Sequence, residues 1–223
     1  LRTDDELAAE LRADAERLGY WKDTQLWVTS DHGHSRVQAH DDLALGISSL
    51  GYRAIAHPWV VKIAPEVAIM VSGNAMAHLY VDLNRRRRPY WPALRDTWEP
   101  LARELTARSS IDVMILPASD RSCEVRARGR GAAFVERSEG SRDRVRFTYR
   151  MIDGDPLGIG RDLVNVCVTE AYEATFPTDY PDSIVQIANR AGATRSGRII
   201  VSAGRDWDFR ARYERIPHVS THG

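Results

Sequence analysis

The residues best suited to chemistry follow a short apolar run near the amino terminus. Residues 26–29 are apolar or β-branched, and Ser30, Asp31, His32 and Gly33 come directly after them. This composition predicts a short buried strand, and ligands bind beyond the carboxyl ends of strands in open parallel sheets. A carboxylate and an imidazole at that position can bind a divalent ion such as zinc. The alternative is an ordinary turn, in which Asp31 accepts hydrogen bonds from the next amides.

Other histidines are the next candidates for binding a metal ion or a substrate. His34 and His40 fall in a polar stretch after the predicted strand, which is more typical of loop histidines than of ligands. His218 and His222 are four residues apart, a spacing that would place two ligands on one helical turn. A glycine follows His222, however, and favours a flexible terminal loop. His78 lies within an apolar run, and we interpret it as an interior histidine.

Composition limits the classes of protein to which the chain can belong. Its 223 residues are 43% hydrophobic, which predicts one large globular domain rather than two. The formal net charge is zero, so no general affinity for nucleic acid or for an anionic membrane is indicated. Cys123 and Cys167 are too few for a disulfide framework or a cysteine metal cluster. No apolar run approaches the roughly 20 residues of a transmembrane helix. The compartment is left open, with the cytoplasm slightly favoured.

Hydrophobic spacing predicts the elements that would position these residues. A helix over residues 3–18 leads into the first strand, and turn residues between two β-rich runs predict a hairpin over 67–83. The four arginines at 85–88 are typical of a solvated loop, with a phosphate or partner patch as the alternative. A helix follows over 91–108, in which Pro100 predicts a kink or a break.

A β-rich block is predicted over residues 111–151. It has no intervening helix, so we expect it to be antiparallel and peripheral to a parallel sheet. Its predicted strands are 111–116, 123–127, 132–136 and 145–151. After it, an amphipathic turn or two around 184–191 has Asp182 as a plausible cap, and 199–201 is a second short buried strand.

Two motifs near opposite ends of the chain resemble a known family. Ser30-Asp31-His32-Gly33 after an apolar strand, with Thr221-His222-Gly223 far downstream, resembles the alkaline phosphatase superfamily, and within it the type I phosphodiesterases and nucleotide pyrophosphatases. Intervening segments fall in the order expected of that branch, so the resemblance covers most of the chain. These segments are 71–74, 78–80, 154–157, 180–182 and 208–212.

The resemblance implies a fold, an activity and a set of metal ligands. It implies an α/β fold with a mostly parallel sheet flanked by helices, and metal-dependent hydrolysis of a small phosphoester or nucleotide. Two divalent ions are implied, zinc being expected and manganese the alternative. Asp31 and His32 would hold one ion and His222 the other. His34 and His218 are further candidates for contacting the substrate or supporting the metal ligands.

The chain also departs from the family pattern. The family's threonine or serine nucleophile and three further metal ligands lie upstream of the Ser-Asp-His-Gly strand, where this chain has only a helix. The resemblance therefore implies that residues 1–223 are the carboxyl-terminal portion of one catalytic domain and are inactive alone. Alternatives are a phosphomonoesterase, a sulfatase or a phosphoglycerate-mutase-like relative. The alternative that is not an enzyme is a non-catalytic domain that retains the fold.

Overall fold

A computed structural model describes most of the chain, as two compact units, Leu1–Gly33 and His34–Gly223. The described residues are 2–30, 32–56, 64–85, 89–140, 144–210, 214, 216 and 218–222. The predicted ligand Asp31 and most of the predicted arginine loop therefore lie outside the described residues. None of the described helices is both long enough and apolar enough to cross a membrane.

The first unit contains one long helix. This helix, α1, spans Arg2–Arg17 and confirms the prediction for 3–18. It ends before Gly19, whose φ of 81° a residue with a β-carbon rarely adopts. A single turn of 3₁₀ helix follows at Trp21–Asp23.

The strand predicted at 26–29 does not form. Residues 24–30 have no regular structure, and the side chains of Trp27 and Val28 are 82% and 78% exposed. A strand needs a neighbouring strand for its backbone groups and a surface that buries its side chains. The described part of this unit offers only a helix and a 3₁₀ turn, so the prediction from apolar composition was wrong.

The second unit is built on a large mixed sheet. Its nine strands run in the spatial order β2-β3-β4-β10-β5-β6-β7-β8-β9. They are β2 (Ala54–Ile55), β3 (Val67–Ser72), β4 (Met76–Val81), β5 (Ile111–Pro117), β6 (Ser122–Ala127), β7 (Gly131–Arg137), β8 (Phe147–Met151), β9 (Leu163–Val166) and β10 (Ile199–Ala203). A separate three-stranded sheet contains β1 (Ser35–His40), β11 (Asp206–Asp208) and β12 (Ser220–Thr221).

The expectation of a mostly parallel sheet was wrong. Within the described residues of the large sheet, only the pair of β2 and β3 is parallel. Short hairpins join β3 to β4, β5 to β6 and β6 to β7, and a hairpin can join only antiparallel strands. The hairpin predicted at 67–83 and the antiparallel block at 111–151 are confirmed. That block is not peripheral, because β10 pairs with β4 on one side and with β5 on the other.

Helices cover both faces of this sheet. Alternate residues of β5 point to opposite faces: Met114 and Leu116 lie in one hydrophobic core, whereas Val113 and Ile115 lie in the other. Helices α2 (Leu43–Ser49) and α3 (Trp91–Ala107) contribute to the first core. Helices α4 (Val168–Thr175) and α5 (Ser183–Ala191) contribute to the second. The mixed α/β class is therefore confirmed.

Two details of the helices differ from expectation. Helix α3 continues through Pro100, so the predicted break is absent. Proline cannot donate to the carbonyl four residues earlier, and both Pro100 and Asp96 lie on the exposed side of the helix. Asp182 occupies the position before α5 as predicted, but it has a φ of 61° and its side chain makes no capping hydrogen bond.

Candidate functional site

The three-stranded sheet brings the carboxyl-terminal motif onto the segment that follows His32. In this sheet β1 pairs with β12 through Ser35 and Thr221, and with β11 through Val37 and Asp206. The polar stretch after residue 33, expected to be a loop, is therefore a strand. The terminal segment, expected to be flexible, is its partner. The partners of β1 lie far along the chain, so its own sequence carries no local sign of them.

A glycine turn holds His222 in place. The amide of His222 donates to the carbonyl of Gly73 (3.0 Å), and the amide of Ala75 donates to the carbonyl of His222 (3.2 Å). The hydroxyl of Thr221 also donates to the carbonyl of Gly73 (2.6 Å). Gly73 has a φ of 58°, and a β-carbon there would lie 2.7 Å from Nδ1 of His222. Only glycine therefore allows the imidazole to lie this close to the turn.

His222 lies beside a second predicted site residue, His34. The ring centroids are 5.4 Å apart, and the ring planes meet at 75°. Both histidines were singled out from the sequence, and the fold brings them together from opposite ends of this unit. Neutral imidazole nitrogens are donors that zinc accepts.

A buried carboxylate, Asp208, lies between two further histidines. Its side chain is fully buried, with His40 Nδ1 2.6 Å from one oxygen and His218 Nδ1 3.0 Å from the other. Because a carboxylate only accepts hydrogen bonds, Nδ1 of His40 carries the hydrogen. In the neutral ring Nε2 then keeps its lone pair and can accept a proton or bind a cation.

Polar groups around His218 extend this cluster. The side-chain amide of Asn74 lies 2.5 Å from Nδ1 of His218, and Glu214 Oε2 lies 3.6 Å from Nε2. The amide of Phe209 donates to the carbonyl of Asn74 (2.7 Å). These contacts link the Gly73 turn, which Asn74 follows, to β11, which contains Asp208.

A second acidic residue fixes the end of β1. Asp41 accepts two hydrogen bonds from Arg108, at 2.9 and 2.6 Å, and one from the hydroxyl of Ser110. Its own amide donates to the carbonyl of Asp208 (2.9 Å), and the amide of Arg210 donates to its carbonyl (3.1 Å). Backbone hydrogen bonds therefore join the end of β1 to the β11 segment, and the side chain of Asp41 fastens that end to the residues between α3 and β5.

The remaining residues singled out from the sequence are His32, Asp31 and His78. His32 belongs to the first unit, is exposed, and has its Nδ1 3.2 Å from the carbonyl of Gly33. Asp31 lies outside the described residues. His78 is an interior residue as predicted: it is half-buried, and the amide of Gly197 donates to its Nδ1 (3.2 Å). Burial, and then the charge of Arg190, lower the pKa of His78.

The donors in this region match a divalent ion in type but not in number. His34 and His222 supply imidazole nitrogens, and His40 is oriented by a carboxylate as metal-bound histidines usually are. Nevertheless, no group of three or more His, Cys, Asp or Glu side chains in the described ranges is arranged to hold a metal ion. The described residues thus include side chains of the types that bind metal ions, but not a complete set of ligands for one ion.

The sequence did not identify Asp208 and Asn74 as site residues. Both lie in segments that the family resemblance covers, 208–212 and 71–74, which was the only available signal. Neither has its partners nearby in sequence.

Comparison of the chain with protein-family models, with curated proteins and with solved structures found no match.

Proposed function

We propose that the chain is the metal-binding, carboxyl-terminal part of a phosphoester hydrolase of the phosphodiesterase or nucleotide pyrophosphatase type. One observation carries the proposal: His222 is fixed on the Gly73 turn beside His34. The terminal Thr-His-Gly motif is weak evidence on its own. A histidine whose backbone makes two hydrogen bonds to the turn, next to another histidine, is better support, because a metal ligand must be preorganised.

The proposal assigns roles through the family resemblance. Asp31 and His32 hold one divalent ion, and His222 holds the other. When bound, such a pair neutralises charge on the phosphoryl oxygens and stabilises the attacking and leaving oxygens. Zinc is the proposed metal and manganese the alternative. The nucleophile, a threonine or serine, would lie upstream, so the activity is proposed for a longer protein.

The described residues would position groups around the ions. His34 lies beside His222 and can limit the orientations of its ring. Asp208 fixes the ring of His40 through Nδ1, which leaves Nε2 to accept or donate a proton. Asp208 is therefore proposed as a positioning residue, since its carboxylate is fully buried and contacts the rings of His40 and His218.

Zinc binding by the 223-residue chain is the first test. Competition with a chromophoric chelator should show that His222→Ala weakens zinc binding at least tenfold. His78→Gln is the matched control, because His78 is also partly buried but lies within β4; it should leave zinc affinity unchanged. Equal zinc affinity in the parent and in His222→Ala would remove His222 from the ligand set.

Hydrolysis by the protein encoded by the complete gene is the second test. With zinc present, bis(p-nitrophenyl) phosphate should be cleaved faster than p-nitrophenyl phosphate, which separates a diesterase from a monoesterase. Asp31→Ala and His32→Ala should each lower kcat/KM by about a thousandfold, since loss of an activating ion removes several kcal/mol of transition-state stabilisation. Activity within tenfold of the parent, or hydrolysis of neither ester, would overturn the proposal.

A further inference from the structure

A cavity of about 660 Å³ opens in the second unit beside the carboxyl-terminal motif. Its wall includes Arg36 of β1, Asp206 and Trp207 of β11, and Thr221 of β12. Thr221 immediately precedes His222, the proposed metal ligand. The cavity wall therefore lies one residue along the chain from the proposed ligand His222.

Most of the charged side chains that line the cavity neutralise one another. Arg130 Nη2 lies 2.5 Å from one carboxylate oxygen of Asp112, and the hydroxyl of Tyr180 donates to the other oxygen (2.5 Å). Arg205 and Asp179 form a looser pair at 3.7 Å, with both side chains largely exposed. These two pairs leave one cation and one anion of the cavity wall, Arg36 and Asp206.

Arg36 and Asp206 line the same cavity without bonding to each other. Within the described ranges neither side chain makes a hydrogen bond or an ion pair, although Val37, next to Arg36, is the register partner of Asp206. Asp206 has a φ of 69°, a left-handed conformation in which aspartate and asparagine are enriched among residues other than glycine.

The aromatic residue next to Asp206 adds a preference for cations. Trp207 is partly exposed and borders the cavity. The face of an indole ring attracts ammonium groups, and a nearby carboxylate strengthens that attraction. An arginine guanidinium, in turn, is a strong partner for phosphate oxygens. The cavity wall thus offers complementary partners for both ends of a zwitterion.

We propose that this cavity binds an aminoalkyl phosphoester, with the ammonium group against Asp206 and Trp207 and the phosphoryl group next to Arg36. This inference rests on the proposed function only in treating the bound group as substrate. It narrows the substrate class to phosphate esters of amino alcohols. Register supports the placement, because Arg36 is paired with Ser220, two residues before His222.

The test compares two probes that differ in the ammonium group alone. Calorimetric titration of the metal-free 223-residue chain with O-phosphoethanolamine and with ethyl phosphate should show at least tenfold tighter binding of O-phosphoethanolamine. Asp206→Asn should abolish that preference, and Arg36→Gln should weaken binding of both probes. Asp120→Asn removes an exposed carboxylate that does not line the cavity and should leave both affinities unchanged.

Equal affinities for the two probes, or binding of neither, would overturn the inference. So would a preference for O-phosphoethanolamine that survives both Asp206→Asn and Trp207→Leu in variants with unchanged circular dichroism. Asparagine tolerates a positive φ, so Asp206→Asn should fold. Because the titration needs neither metal nor turnover, a retained preference in a protein that hydrolyses no phosphoester would refute the proposed function alone.

Discussion

The amide of His222 donates a 3.0 Å hydrogen bond to Gly73, and a β-carbon on Gly73 would lie 2.7 Å from Nδ1 of His222. Gly73→Ala should therefore displace the imidazole and strain the turn, whose φ is 58°. We expect the free energy of unfolding to fall by about 1–2 kcal/mol, the cost of a left-handed conformation with a β-carbon. Zinc affinity should fall about tenfold in the same variant. Urea unfolding and chelator competition measure the two effects.

A second glycine provides a control that separates backbone strain from displacement of the His222 imidazole. Gly51 also has a positive φ, 94°, but a β-carbon there would meet no atom within 4 Å. Gly51→Ala should lose stability through strain and keep its zinc affinity. If both alanine variants bound zinc as the parent does, the Gly73 turn would have no part in placing a ligand.

Replacement of Asp208 by asparagine should destabilise the fold. The carboxylate is fully buried and is 2.6 Å from His40 Nδ1 and 3.0 Å from His218 Nδ1. An amide of the same shape is a weaker acceptor and turns a donor toward one of the rings. We expect Asp208→Asn to lower the free energy of unfolding by about 1.5–3 kcal/mol. Asp179 is exposed, so Asp179→Asn should change the free energy of unfolding by less than about 0.5 kcal/mol. Similar effects of the two substitutions would show that the contacts of Asp208 with His40 and His218 do not stabilise the fold.

Stability should fall in mild acid because of His78. Burial, and then the charge of Arg190, lower the pKa of His78 in the native protein below its ordinary value of 6.5. As the pH falls below 6.5, the unfolded chain takes up a proton that the native state does not, so the free energy of unfolding decreases. His78→Gln should show a shallower decrease between pH 6.5 and pH 5 in urea unfolding. Parallel curves for parent and variant would contradict this assignment.

Stability should also fall in alkali because of Cys123. Burial raises the pKa of the Cys123 thiol from 9.0 to about 12. Between these values the unfolded chain has lost a proton that the native state keeps, so the free energy of unfolding decreases as the pH rises, by up to about 1.4 kcal/mol per pH unit for one group. Cys123→Ala should reduce the slope between pH 9 and pH 10. An unchanged slope would mean that the thiol is accessible to solvent in the native protein.

Elements with local signals were predictable from the sequence. The periodicity of α1 and α3, and the turn residues between β3 and β4, lie within the segments that they define. The strands of the 111–151 block have polar and glycine boundaries of the same local kind. These features needed no knowledge of the rest of the chain.

Features that depend on distant partners were not predictable. The apolar residues 26–29 fit a buried strand, but the described part of their unit provides no strand to pair with them. The polar residues of β1 fit a loop, yet β11 and β12 from the far end of the chain pair with them. The union of the two antiparallel groups of strands in one sheet likewise depends on β10, whose partners no local pattern reveals.

The candidate site was partly predictable for the same reason. His34, His218 and His222 could be singled out because imidazole is informative by type alone. Asp208 could not, since an aspartate in a charged segment is usually solvated, and only the folded chain shows it buried between two histidines. Residue type was enough to single out the histidines, whereas the burial of Asp208 and its contacts with two of the histidines could be seen only in the structure.

The position of β10 has a consequence for biosynthesis. Among the described strands, β10 alone joins β2–β4 to β5–β9, and it is made after nearly all of the others. During translation the two flanking groups of strands can form early but stay separate, each with an open edge that could pair with another chain. Folding should therefore finish only once residues 199–203 have left the ribosome, and chains that terminate earlier should aggregate.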